Sequence, residues 1–201
     1  MKIEIKNLGI IKSADVDLSN NLTVFTGPNN SGKTYLAYLI YAITKASYKP
    51  YDDSDFKLDF QNMIKNKSTI HRIDINRIKE YRKKHLSIIN SDLDSLFGIS
   101  NELSNNLFKD FYVNITETDD EFLKRVENLA ITIKVSVGRN SYSIIKNENT
   151  LDISMVFEGD EFDSEELKYL DIIIHSKIYF YLAFSPFTNS YIFASGTKFD
   201  L

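Results

Sequence analysis

Cysteine is absent from all 201 residues, which excludes disulfides and thiolate metal sites and suits a reducing cytoplasm. The three histidines, His71, His85 and His175, are scattered along the chain, and each reads as an ordinary polar or core residue rather than a metal ligand. Long apolar runs are missing as well. The most apolar late stretch, "LDIIIHSKIYFYLAF", carries Asp171, His175 and Lys177 and falls short of the roughly 20 residues a bilayer-spanning helix needs, so it predicts a buried helix and no membrane partner. The opening "MKIEIKNLGIIKSADVDL" alternates charged and apolar residues and lacks the continuous apolar core of a signal peptide. A cytoplasmic protein is expected. Positive charge is not in excess: the net charge is −4 and the pI near 5.4, so a nucleic acid would be repelled except at a local basic patch. The sequence shows no internal repeat and no low-complexity segment.

The composition suits a folded core, since 43% of the residues are hydrophobic. "KIEIKN" and "ADVDL" alternate with period two and predict an antiparallel pair turned at Gly9, with Ile3 and Ile5 on one face and Val16 and Leu18 on another. Leu22, Val24 and Phe25 predict a short strand ending at Thr26 and Gly27. From Lys33 the apolar spacing becomes helical, through Leu36, Leu39, Ile40 and Ile43. Residues 47–70 read as a polar loop around Pro50, and 73–96 as one long amphipathic helix. Further helices are expected over 101–112 and 119–128. Residues 129–157 switch to three alternating segments, a β meander. A helix from Ser164 to about 184, ended by Pro186, and a final strand "SYIFAS" complete the reading.

One loop carries chemistry. Gly27-Pro28-Asn29-Asn30-Ser31-Gly32-Lys33-Thr34 satisfies G-x-x-x-x-G-K-[ST] between a predicted strand and a predicted helix, and a chance match in a chain of this length is on the order of one per cent. Gly27 lets the chain turn sharply, and Gly32 lets backbone approach a phosphate where a Cβ would intrude. Backbone N–H groups from Asn29 to Thr34 are expected to converge on the β-phosphate at the positive end of the helix dipole. Lys33 is the expected catalytic residue and supplies charge to the β- and γ-phosphates. The Thr34 hydroxyl is the expected Mg²⁺ ligand, and Tyr35 closes the ATP-binding segment.

"KIEIKNLGIIKSADVDLSNNLTVFTGPNNSGKT" resembles the opening of the RecF/SMC/OLD-like branch of ABC-type AAA ATPases over residues 1–46, paired asparagines Asn29 and Asn30 included. The resemblance implies an α/β P-loop NTPase fold: an ABC-type N-terminal lobe in which the opening strands and the meander pack beside the strand preceding Gly27. A RecA-like parallel core is the alternative. The expected organisation is a single lobe over 1–201, with strands, P-loop and first helix in 1–46, a helical insertion in 47–128, and meander, helix and terminal strand in 129–201. The resemblance also implies ATP and Mg²⁺ binding, head-to-tail dimerisation, and roles in DNA repair, chromosome organisation or phage defence.

Other parts of such an ATPase are not found in the sequence. A Walker B strand ends in Asp-Glu; the nearest candidate, "ISMVFEGDE", offers Glu158 without the Asp. No "LSGGQ" signature occurs, and the only glutamine, Gln61, is early for a Q-loop. The expectation is therefore an incomplete, truncated or split ATPase whose homo- or hetero-oligomeric partner carries the Walker B and signature elements. The alternative is a non-catalytic decoy that pairs with a full-length relative. The acidic clusters Asp52, Asp53, Asp55 and Glu117, Asp119, Asp120, Glu121 read as solvated faces rather than a nuclease metal site. The basic residues Arg72, Arg77, Lys79, Arg82, Lys83 and Lys84 offer a DNA contact over 72–84, with an exposed helix face as the plainer reading.

Overall fold

The computed structural model describes residues 1–19, 23–44, 65–137, 140–159 and 178–185. They fall into two compact units. The first holds the described residues of 1–44 and 83–117, and the second those of 65–82 and 118–185. All strand pairs among the described residues are antiparallel; none is of the parallel kind that a RecA-like core needs.

In the first unit β1 (Lys2–Leu8) and β2 (Ile11–Asp17) form the expected hairpin. Its two-residue turn places Gly9 at φ 60°, a conformation that glycine adopts without steric cost. Ile3 pairs with Val16, so these two side chains share one face of the sheet, correcting the expectation of separate faces. A third strand, β4 (Tyr112–Ile115), pairs with β1. It was not anticipated, because four residues give too short an alternation to separate from the end of a helix. The helix read over 101–112 in fact stops at Leu107.

The long helix expected over 73–96 is two helices, α2 (Ile75–Ser91) and α3 (Leu93–Phe97). Asn90, Ser91 and Asp92 stand at the break, residues whose short polar side chains compete with the helical backbone. Asn90 shows how. Its side-chain oxygen accepts from the Val113 N–H at 2.9 Å and its amide donates to the Val113 carbonyl at 3.2 Å, so it pairs with β4 as a neighbouring strand would. The next helix, α4 (Asn101–Leu107), begins at Ser100, whose hydroxyl accepts from the Leu103 N–H.

The second unit contains a four-stranded sheet in the order β3-β7-β6-β5, formed by β3 (Ser68–Arg72), β5 (Ile131–Val137), β6 (Asn140–Lys146) and β7 (Asp152–Glu158). The meander stands as expected; β3 is an addition, drawn from the tail of a segment read as loop. The segment 47–128 thus contributes two strands besides its helices. Tyr142, Ile144, Met155 and Phe157 are buried, together with Phe122 and Val126 of α5 (Asp119–Asn128). α5 opens with a capping box in which the Thr118 N–H donates to Glu121 at 2.8 Å and the Glu121 N–H to Thr118 Oγ1 at 3.2 Å. Residues 178–184 are helical (α6); the rest of the predicted 164–184 helix, the "SYIFAS" strand, Gln61, His175 and the 52–55 acidic cluster lie outside the described residues. No described helix is long and apolar enough to cross a membrane.

Candidate functional site

The G-x-x-x-x-G-K-T segment leads directly into α1 (Lys33–Thr44). Leu36, Leu39 and Ile43 are buried, as their spacing predicts, and the Leu36 N–H closes the first turn on the Gly32 carbonyl at 3.0 Å. On the entering side the expectation fails: residues 23–27 form no strand, Val24 is 68% exposed, and the opening hairpin and the meander belong to two separate sheets. Local β-propensity supplies no ladder, and without a ladder the segment joins no sheet among the described residues.

Within the loop, Asn30 has φ 61° and Gly32 φ 84°, while Asn29 and Ser31 between and beside them keep negative φ. Alternation of this kind turns successive N–H groups toward one side and makes an anion-binding concavity. No acidic residue stands in the first turn of α1, so the positive end of its dipole is not offset. The Lys33 ammonium donates to the Gly27 carbonyl at 2.9 Å, the Pro28 carbonyl at 2.6 Å and Ser31 Oγ at 3.3 Å. It therefore lies over the loop it belongs to, where a phosphate oxygen would compete for the same three protons. Thr34 is exposed, leaving its hydroxyl accessible. These donors and this backbone fit a nucleotide phosphate with Mg²⁺.

Two features of the surroundings were not legible in the sequence. A Cβ on Gly32 would lie 2.7 Å from Ile11 Cγ1, and one on Gly9 would lie 2.8 Å from the Tyr35 ring. The β1–β2 turn thus packs on the loop and on the start of α1, which gives Gly32 a second reason to be glycine. Behind it Tyr35 makes edge contacts with Phe97 at 5.5 Å and Phe108 at 5.6 Å. Periodicity within α1 cannot show this cluster, because its members come from three helices or their ends.

The remaining predicted residues go to structural work. Glu158 ends β7 with its carboxylate taking the Ser141 hydroxyl at 2.9 Å and facing Lys134 at 3.7 Å. Glu121 serves the α5 cap and Asp119 pairs with Lys79 at 2.7 Å; no group of metal-ligating side chains occurs among the described residues. In the basic stretch, Arg72 pairs with Asp152, Arg77 with Asp74, and the Arg82 guanidinium sits 4.4 Å from the Phe122 ring centre. Lys83 and Lys84 are exposed.

Residues 1–192 match the family described as AAA ATPase domain. The chain belongs to that family. No curated protein and no solved structure matches it. Membership in the AAA ATPase domain family implies nucleotide binding.

Proposed function

We propose that this AAA ATPase domain binds ATP with Mg²⁺ through a Walker A loop at residues 27–35, as the N-terminal portion of an ABC-type P-loop ATPase of the RecF/SMC/OLD-like branch. The observation that carries the reading is the alternating backbone at Asn30 and Gly32 joined to the Lys33 ammonium over the same loop. In this reading the N–H groups of Asn29 to Thr34 bind the phosphates, Lys33 exchanges loop carbonyls for phosphate oxygens, and the Thr34 hydroxyl holds the metal. Mg²⁺ when bound neutralises phosphate charge and orients the oxygens. Nothing among the described residues does the work of a Walker B carboxylate, so turnover is assigned to an assembly with a homo- or hetero-oligomeric partner supplying the Walker B and signature elements. The exposed segment about Val24 supports such a partner. The ion pairs along 72–84 do not favour the DNA contact.

Isothermal titration with a non-hydrolysable ATP analogue and Mg²⁺ tests the reading. Binding to the wild type that is lost in Lys33→Ala is expected; equal heats from the two proteins would remove the assignment.

A further inference from the structure

We infer that the outer edge of β3 docks against the same edge of a second copy of this chain, joining two four-stranded sheets into one across a two-fold axis at Ile70. All the residues concerned belong to the second unit. β3 is a terminal strand in the order β3-β7-β6-β5, and no strand among the described residues pairs with its other side. The Phe157 N–H donates to the Lys67 carbonyl at 2.9 Å and the Ile73 N–H to the Leu151 carbonyl at 2.8 Å. Backbone groups of an antiparallel strand alternate in direction. Lys67, Thr69, His71 and Ile73 therefore point theirs at β7, and Ser68, Ile70 and Arg72 point theirs outward. These last three also carry the exposed side chains of β3, and Ile70 is 74% exposed.

Edge strands commonly discourage pairing with charge, above all with lysine. The opposite edge of the sheet follows that rule, since β5 carries the exposed Lys134 at its middle. β3 does not. Lys67, just ahead of it, is turned back onto β7, donating to the Gly159 carbonyl and lying 4.7 Å from the Phe157 ring centre. Arg72 is paired with Asp152 at 3.4 Å. An apolar side chain is left at the centre of an open edge, and the occupant that suits this edge is its own copy. With the axis at Ile70 the outward backbone groups of the two strands meet, Ile70 against Ile70 and Ser68 against Arg72, each pair able to exchange both its hydrogen bonds. The two isoleucines fall on one face, where Ser154 and Ile145 continue the row in each sheet, and no like charges stand opposite each other. An axis at either neighbouring residue would set Ile70 against Ser68 or Arg72 and lose the apolar pair. The seam is isologous and one strand long, which puts the dimer among small, transient interfaces.

Because the chain holds no cysteine, single cysteines read the register directly. Opposed residues of a hydrogen-bonded antiparallel pair have Cα atoms about 5.5 Å apart, within disulfide reach. Under mild oxidation Ile70→Cys should give a covalent dimer. Ser68→Cys, displaced from its counterpart along the seam, and Thr132→Cys, on the opposite edge strand, should stay monomeric, and the double variant Ser68→Cys/Arg72→Cys should cross-link again. Sedimentation over a dilution series should show Ile70→Lys, which sets like charges opposite each other, needing at least about tenfold higher concentration than wild type to dimerise, with a melting temperature in dilute solution close to wild type. No covalent dimer from Ile70→Cys, or equal yields from the cysteines at 70 and 68, overturns the inference. Association unchanged by Ile70→Lys also overturns it and assigns the contact to another surface, such as the exposed segment at Val24.

Discussion

His85 illustrates what a single buried side chain does beside α1. Its ring is 7% exposed on α2, close to the backbone of Ala42 and Ile43 near the end of α1. Thr44 Oγ1 donates to the Ile40 carbonyl at 2.8 Å and lies 3.4 Å from that of Tyr41. The carbonyls at the end of a helix have no partners within it, and the Thr44 hydroxyl turns back onto two of those in the last turns of α1. Burial pushes the His85 pKa from 6.5 down to about 4, against the smaller upward pull of the Ala42 and Ile43 backbone. The folded protein therefore holds fewer protons than the unfolded chain between those values. Stability is full above pH 6.5 and declines as pH falls from there toward 4, by up to on the order of 3 kcal/mol. Denaturant titrations across that range, on wild type and His85→Gln, should show the acid-side slope reduced in the variant; identical slopes would place the acid sensitivity elsewhere.

At the scale of elements, the β1–β2 turn and the start of α1 are joined through Gly9 and Tyr35. Gly9 combines a φ of 60° with a 2.8 Å approach of any added Cβ to the Tyr35 ring. Gly9→Ala should destabilise by roughly 2–4 kcal/mol, from left-handed strain together with overpacking. In a Tyr35→Ala background the overpacking is relieved and only the backbone part, about 1–2 kcal/mol, should remain. A double-mutant cycle with no coupling would show that the ring does not enforce this glycine. In the second unit, Arg125 donates to the carbonyls of Leu182 at 3.3 Å, Ala183 at 3.0 Å and Ser185 at 2.8 Å, while its guanidinium lies 5.0 Å from the Phe122 ring centre. It satisfies the end of α6, as lysine or arginine at a helix C-terminus can. Lys146, 1% exposed, does the same for α5 through the Glu127 and Leu129 carbonyls at 2.9 and 2.7 Å. Basic residues in this protein thus spend much of their charge on helix ends and on partners within the chain.

For the whole molecule, the segment entering the 27–34 loop is the feature that matters most. Val24 is 68% exposed, and residues 23–27 join no sheet among the described residues. Exposed apolar surface of this kind favours association. The protein is expected to self-associate or to gain stability from a partner, and Mg-ATP is expected to raise its melting temperature only modestly while that partner is absent. Light scattering over a dilution series measures this. A compact monomer at every concentration, with no binding of dye to apolar surface, would mean that the segment is covered within one chain.

Sequence alone determined the G-x-x-x-x-G-K-T motif on which the proposed site rests, because its residue types and spacing lie within one short segment. It also determined the hairpin, α1, α5 and the meander, whose periodicities are local. Tertiary structure decided the rest. Whether 23–27 forms a strand depends on a neighbour to pair with, and whether β4 exists depends on β1 on one side and Asn90 on the other. The basic stretch could be seen in sequence, but its engagement by Asp74, Asp119, Asp152 and Phe122 could not, since three of those partners lie far along the chain. Gly32 shows both sources at one residue: the motif names it in sequence, and the fold requires it again for the close approach of Ile11.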